Sequence, residues 1–291
     1  DVVKVFPPIR VWGTIGFIAA MWITNLTGNK ASANMFYIAA IVAVFLGIYS
    51  LTLPKCPPQR LIDKNASFTK KLGLDAFKLF GTYKMALFFV FSMFLGAALQ
   101  LTNMYGDVFL LEFGNFGQYQ DSFVVKYSTI IMSISQISET LFILAIPFFL
   151  KRFGIKQVML ISMVAWVLRF GLFSYGDPMG GLWMIVLSCI VYGMAFDFFN
   201  ISGSLFVDRE AKPGIRASAQ GLIMLMTNGL GAILGGLFAG KVVDYFSDAA
   251  GNKNWQNIWF TFAGYALVIG IFFLLVFRYK HNPNNLGDIK H

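Results

Sequence analysis

Charge is what this sequence has least of. Only 13% of its 291 residues are charged, while 57% are hydrophobic and Phe alone occurs 32 times. A water-soluble domain of this size has too little interior for that apolar load. A polytopic helical membrane protein has no such difficulty. Alternating apolar and polar residues are also missing, which excludes a membrane barrel: the apolar runs are continuous for about twenty residues. There are two cysteines, Cys56 in a basic loop and Cys189 in an apolar run. They make no disulfide framework and have no metal-ligand spacing. The two histidines, His281 and His291, both lie in the C-terminal tail. There is no phosphate-cradling loop, no HExxH and no GxSxG, so no nucleophile–base pair supports an enzyme and no cofactor or metal is implied. No filter or charged-ring sequence supports a channel.

What the sequence does hold is eight apolar spans, at about 8–27, 34–53, 84–110, 122–150, 155–176, 181–207, 216–246 and 255–279. The predicted fold is an all-α polytopic membrane protein. Positive charge sorts by loop. Eighteen of the 23 Lys and Arg fall on one side of the spans, and only Lys30, Lys126, Lys241 and Lys253 on the other, with Arg169 inside a span. By the positive-inside rule the basic side, C-terminal tail included, is cytoplasmic. This distribution accounts for the net charge of +9 without nucleic acid as a partner. The one long polar connection, 54–83, contains Pro54, Pro57 and Pro58 and then "LGLDAFKLF". Leu72, Ala76, Leu79 and Phe80 share one helical face there, which fits a helix lying flat at the membrane interface or a plain linker helix. The expected division is 1–53, 54–83, 84–280 and a tail 281–291. Two spans before a long loop and six after it are the pattern of a twelve-span transporter. On that pattern four further spans are expected in front, and a first residue that is not Met fits a sequence read from mid-chain.

Polar residues inside spans are few, and each costs insertion energy unless it is paired or wet. In "IIMSISQISETLF", Met132, Ser135, Gln136 and Glu139 recur at i, i+3, i+4, i+7 and share a face, opposite the oily Ile134, Ile137 and Leu141. Glu139 therefore points into the bundle and reads as functional, while the serines read as helix–helix contacts. In "LQLTNMYG", Gln100 and Asn103 lie one turn apart. In "VYGMAFDFFN", Tyr192 and Phe196 are followed by Asp197, an aromatic face beside an acid that suits a planar, hydroxyl-bearing ligand. In "FPPIRVWGTIGF", Arg10, Thr14 and Phe17 form one stripe; from spacing alone Arg10 snorkels to the headgroups. Arg169, within "VAWVLRFGLF", either pairs with a neighbouring acid or snorkels outward, a structural role. Gly231 and Gly235, then Gly236 and Gly240, have small-xxx-small spacing and predict close helix contact.

These stretches, together with "LGLDAFKLF", "IRASAQG" and "FAGY", resemble the nucleoside–proton symporter family of the major facilitator superfamily over nearly the whole chain. The resemblance implies twelve spans in two six-helix halves, of which this chain holds helices 5–12. It implies a central cavity lined by Arg10, Thr14, Phe17, Gln100, Asn103, Gln136, Glu139, Tyr192, Phe196 and Asp197, which overrides the snorkelling reading of Arg10. Ala98 stands where some relatives have an acid, which shifts proton coupling toward Glu139 and Asp197. The expected function is proton-coupled import of purine and pyrimidine nucleosides by a monomer in the inner membrane. A sugar–proton symporter and a non-transporting membrane sensor are the alternatives.

Overall fold

The computed structural model describes residues 2–29, 32–55 and 73–279, with side chains described from residue 11 onward. Cys56, both histidines, loop residues 56–72 with Leu72, the tail 281–291 and the side chain of Arg10 lie outside the described residues. In lipid every backbone group must be satisfied within its own segment, so apolar runs fold as helices. The first three are α1 (Val2–Leu26), α2 (Asn34–Ser50) and α3 (Tyr83–Glu112). Ser128–Tyr175 is helical throughout apart from Gly154, whose φ of 78° and ψ of 168° only glycine adopts without strain. The chain reverses there. Arg169 Nη1 lies 3.4 Å from Ser135 Oγ, 34 residues away; a straight helix would hold them about 50 Å apart. The segment is thus two antiparallel helices, α4 (128–153) and α5 (155–175). They are followed by α6 (Leu182–Glu210), α7 (Pro213–Tyr245) and α8 (Trp255–Val276).

These helices follow the expected spans in order, and no strand occurs among the described residues. Among the described residues five continuous helices, counting 128–175 as one, are long and apolar enough to cross a membrane. The first two spans contribute the shorter apolar stretches Val11–Leu26 and Asn34–Ser50. α2 has no residue buried within this chain.

Packing among α3 to α8 rests on small side chains and aromatic rings. Ser138 donates to the Ile190 carbonyl, joining α4 to α6, and Ser162 donates to the Ala195 carbonyl, joining α5 to α6. Gly193 lets these backbones touch: a Cβ there would fall 2.6 Å from the Ser138 carbonyl carbon. The phenylalanine load fills the interior. Trp259 stacks on Phe170 at 5.8 Å and meets Phe109, Phe173 and Phe262. Such contacts supply dispersion, the main attraction left between helices once lipid replaces water.

Of the four spaced glycines in α7, only the first pair sits against another backbone. A Cβ on Gly231 would lie 2.5 Å from the Met93 carbonyl oxygen, and one on Gly235 would lie 2.7 Å from Ala97 Cα. Gly236 has ordinary room beside Met104, and Gly240 meets nothing within 4 Å. The expectation of close contact thus holds for Gly231 and Gly235 against α3 and not for Gly236 and Gly240. The reason is angular: residues one position apart on a helix face different neighbours.

Helix ends sort by charge as the loop pattern requires. At one end Lys253 and Trp255 both bond Glu112, the last residue of α3. At that same end Asn25 of α1 reaches the Lys126 carbonyl at 3.4 Å. The α7–α8 turn closes on Asp248, which accepts from the backbone of Ala250 and Asn252 and from the Asn252 amide. Those donors, led by the Asn252 side chain, hold the Asp248 carboxyl below the usual carboxylate range.

At the opposite, basic end the amphipathic stretch is a short 3-10 helix, Leu74–Gly81. Ala76 is buried, Leu79 and Phe80 pack on the core, and Phe80 meets Phe89 at 5.1 Å. Its apolar face is therefore turned onto protein rather than flat on lipid, because the ends of α3 and α7 lie directly beneath it.

Gly235→Ala is expected to lower stability by about 1–3 kcal/mol, since its Cβ has nowhere to go. Gly240→Ala should fall within about 0.5 kcal/mol of the parent. Thermal unfolding of both variants in the same detergent compares them; equal losses would sink the assignment of contact to one pair.

Candidate functional site

Arg169 is fully buried in α5, and every helix around it contributes to holding it. Its Nε donates to Thr102 Oγ1 of α3 at 3.3 Å. Its Nη1 donates to the Ser188 carbonyl of α6 at 2.9 Å and, more weakly, to Ser135 Oγ of α4. Ser188 in turn donates to the Arg169 carbonyl. The guanidinium carbon lies 4.5 Å from the ring centre of Tyr192 and 5.0 Å from that of Phe173. No carboxylate of the described residues comes within ion-pair distance of it. Both sequence expectations for its environment are thus corrected. It neither snorkels nor pairs with an acid, because carbonyl and hydroxyl oxygens and two π faces already meet the cation in the bundle centre. The structural role expected for it agrees with these contacts.

Tyr192 carries this hub toward the polar face of α4. Its ring stacks on Phe196 at 6.0 Å and 9°, as i, i+4 spacing on one helix allows. Trp166 meets its edge at 6.0 Å. The Gln136 side chain is its hydrogen-bonding neighbour, and the carboxyl groups of Glu139 and Asp197 are nearby. Five of the expected residues, from two separate spans, therefore gather in one place: Gln136, Glu139, Tyr192, Phe196 and Asp197. Glu139 is 9% exposed and Asp197 is fully buried. On α4, Ile137 and Leu141 are exposed opposite Glu139 as the spacing required, whereas Ile134, expected on the same oily face, is half-buried and packs on the core.

The other expected residues stand apart from that cluster. Gln100 is half-buried and Asn103 exposed on α3, and no hydrogen bond ties either to the described residues. Thr14 is half-buried and Phe17 is 55% exposed on α1. α1 meets α4 near its far end, where Trp22 Nε1 donates to Ser133 Oγ at 2.8 Å.

A cavity of about 310 Å³ opens beside the cluster, between α3, α5, α6 and α7. Phe196 and Trp166 line it, with Asn200, Thr227 and Asn228. Thr227 and Asn228 sit on Leu225–Gly231, where α7 widens into π-helical turns. Such turns recur at functional sites because they displace side chains from the regular ladder. Asn200 and Asn228 escaped the sequence reading. Asn200 ends the quoted "VYGMAFDFFN" and lies one turn beyond Phe196, so the i+4 rule reaches it; Asn228 has no comparable signal, because its position depends on the π turn. Among the described residues no three His, Cys, Asp or Glu gather to hold a metal. The arrangement offers ring faces, amides and two buried carboxyls: it can stack a planar ligand, bond its polar edge and hold a proton.

Comparison with known proteins gives a consistent set of likenesses. Residues 1–282 match the sequence model of the family described as nucleoside H+ symporter. The chain is 56% identical over 294 residues to the nucleoside permease NupG of Escherichia coli, covering 100% of this chain and 70% of that protein. It is 55% identical to the xanthosine permease of the same organism, covering 69% of it. The crystal structure of nucleoside transporter NupG superposes with a TM-score of 0.84 at 56% identity, over 96% of this chain and 69% of that one. An aspartate-to-alanine mutant of NupG gives 0.88.

Arg169→Lys keeps the charge and loses the fork that reaches three helices. It should lower stability by about 3 kcal/mol, at roughly 1.5–3 kcal/mol for each lost charged hydrogen bond. An unfolding midpoint equal to the parent's would show that the hub does not hold the bundle.

Proposed function

Because this chain belongs to the nucleoside H+ symporter family and has the major facilitator fold, we propose that it imports nucleosides across the inner membrane together with protons, by alternating access. The observation that carries this reading is the pair of buried carboxyls, Glu139 and Asp197, set around Tyr192 beside an aromatic- and amide-lined cavity. Tyr192, Phe196 and Phe17 contact the base and sugar by stacking or apolar packing. Gln100, Asn103 and Gln136 hydrogen-bond the base edge and ribose hydroxyls, and Arg10 and Thr14 complete the wall from α1. Asn200 and Asn228 extend the polar lining along the cavity toward the basic end. The name of NupG, which speaks of nucleosides broadly, and that of the xanthosine permease support a nucleoside as the substrate.

The proton sits on Glu139 or Asp197. Such a group takes up a proton when the cavity faces outward and releases it when cytoplasmic water enters. A neutral carboxyl also crosses the membrane field without charge and donates a hydrogen bond to the ligand. One charge moving through 100 mV is worth about 2.3 kcal/mol, enough for roughly fifty-fold accumulation. Transport is a change of access and not of bonds, so no enzymatic step is assigned. The basic face, with the C-terminal tail, is cytoplasmic. Residues 1–53 close a first six-helix half, 54–83 bridge the halves, 84–280 form the second half and 281–291 the tail; two helices before the bridge and six after it support this division.

Labelled uridine uptake into cells, with the full-length protein and with or without a protonophore, tests the reading. Uptake should collapse with the protonophore and be competed by adenosine, with glucose and lactose having no effect. Sugar competition, or binding without counterflow in vesicles, would overturn it. Glu139→Gln or Asp197→Asn should reduce accumulation to simple equilibration; full gradient-driven accumulation in both would remove the proton assignment.

A further inference from the structure

At the basic end of the molecule, away from the cavity at Phe196, a recess of about 540 Å³ is lined by Lys84, Lys156, Arg278 and Tyr279. It shares no lining residue with that cavity. Three helices bring these groups together. Lys84 is the second residue of α3, Lys156 lies in the first turn of α5, and Arg278 and Tyr279 follow the end of α8. Among the described residues no acid lines the recess and none of the three cations is ion-paired. Like charges so close repel, and an anion between them relieves that repulsion. The N-termini of α3 and α5 add the positive ends of two helix dipoles. Lys156 Nζ reaches the Leu274 carbonyl at 3.4 Å, which fastens it to the last turn of α8.

The surroundings distinguish a lipid from a free anion. Directly beyond the recess, α8 exposes Ile271, Phe272, Leu274 and Leu275, with Leu275 at 66%. This apolar strip runs down the helix from the cations, as acyl chains run from a phosphate. Tyr279 packs its ring on Phe206 at 5.4 Å, placing a phenol at the lip. Aromatic residues with a polar tip favour this depth of the bilayer. The volume lies in the range of about 300–1,000 Å³ that suits small ligands. We propose that this recess binds the phosphodiester headgroup of an anionic glycerophospholipid, with its acyl chains along α8. Basic pockets between membrane helices hold such headgroups by the same attraction.

The test uses the purified full-length protein in neutral detergent and native mass spectrometry. Phosphatidylglycerol and phosphatidylcholine are added in equal amounts. Phosphatidylglycerol should be retained preferentially. Each cation is expected to contribute about fivefold, so Lys84→Gln/Lys156→Gln/Arg278→Gln should lose on the order of a hundredfold. Lys151→Gln/Arg152→Gln, which removes cations of the same face outside the recess, should retain the lipid like the parent. Inorganic phosphate in millimolar amounts should not displace it. Thermal unfolding without added lipid checks that the triple variant folds; if it does not, the single exposed change Lys84→Gln carries the test at about fivefold. Equal retention of the two lipids, or undiminished retention by the folded variant, would overturn the proposal. Displacement by phosphate would reassign the recess to a free anion and overturn the lipid.

Discussion

A guanidinium buried between four helices sets the terms for the rest of this molecule. Lipid cannot solvate it, so the protein must. Thr102, Ser135 and the Ser188 carbonyl each come from a different helix, and each must stay within about 3.4 Å of the same planar group. That requirement fixes the rotation of α3, α4 and α6 about α5. Once α6 is so turned, Tyr192 covers the cation with its ring and points its hydroxyl toward Gln136. The residues proposed to meet ligand are thus oriented by a residue that the mechanism itself does not use.

Close backbone contact is the second constraint. Gly193 against Ser138, and Gly231 and Gly235 against α3, leave no space for a side chain. Rings then fill what the backbones leave, around Trp259 and Phe170. The cavity at Phe196 lies beside the π turns of α7. Those turns are themselves tightly packed on α3, since a Cβ on Gly96 would collide with the Thr227 carbonyl oxygen.

Several parts of this arrangement were legible in the residues. The polar face of α4 followed from i, i+3, i+4, i+7 spacing alone, because a helix converts spacing directly into direction. Tyr192 and Phe196 stack for the same reason. Arg169 was noticed, but its partners were not: they come from positions 102, 135 and 188, which no local rule connects. Spacing also treated the two glycine pairs of α7 alike, although only Gly231 and Gly235 meet α3. The face of a helix is local information, and the identity of its neighbour is not.

The sequence by itself determined the helical class, the order of the spans and the sorting of charge to their ends. Each of these follows from local hydrophobicity and from the cost of an unsatisfied backbone in lipid. It also marked Glu139 and Asp197, since acids are rare enough in such spans to stand out singly. Only the tertiary structure decided that Gln136, Glu139 and Asp197 lie near Tyr192, that Asn200 and Asn228 line a common cavity, and that Lys84, Lys156 and Arg278 share a recess. These are distances between segments far apart in the chain, and they arise from packing many helices at once, which no stretch of twenty residues encodes.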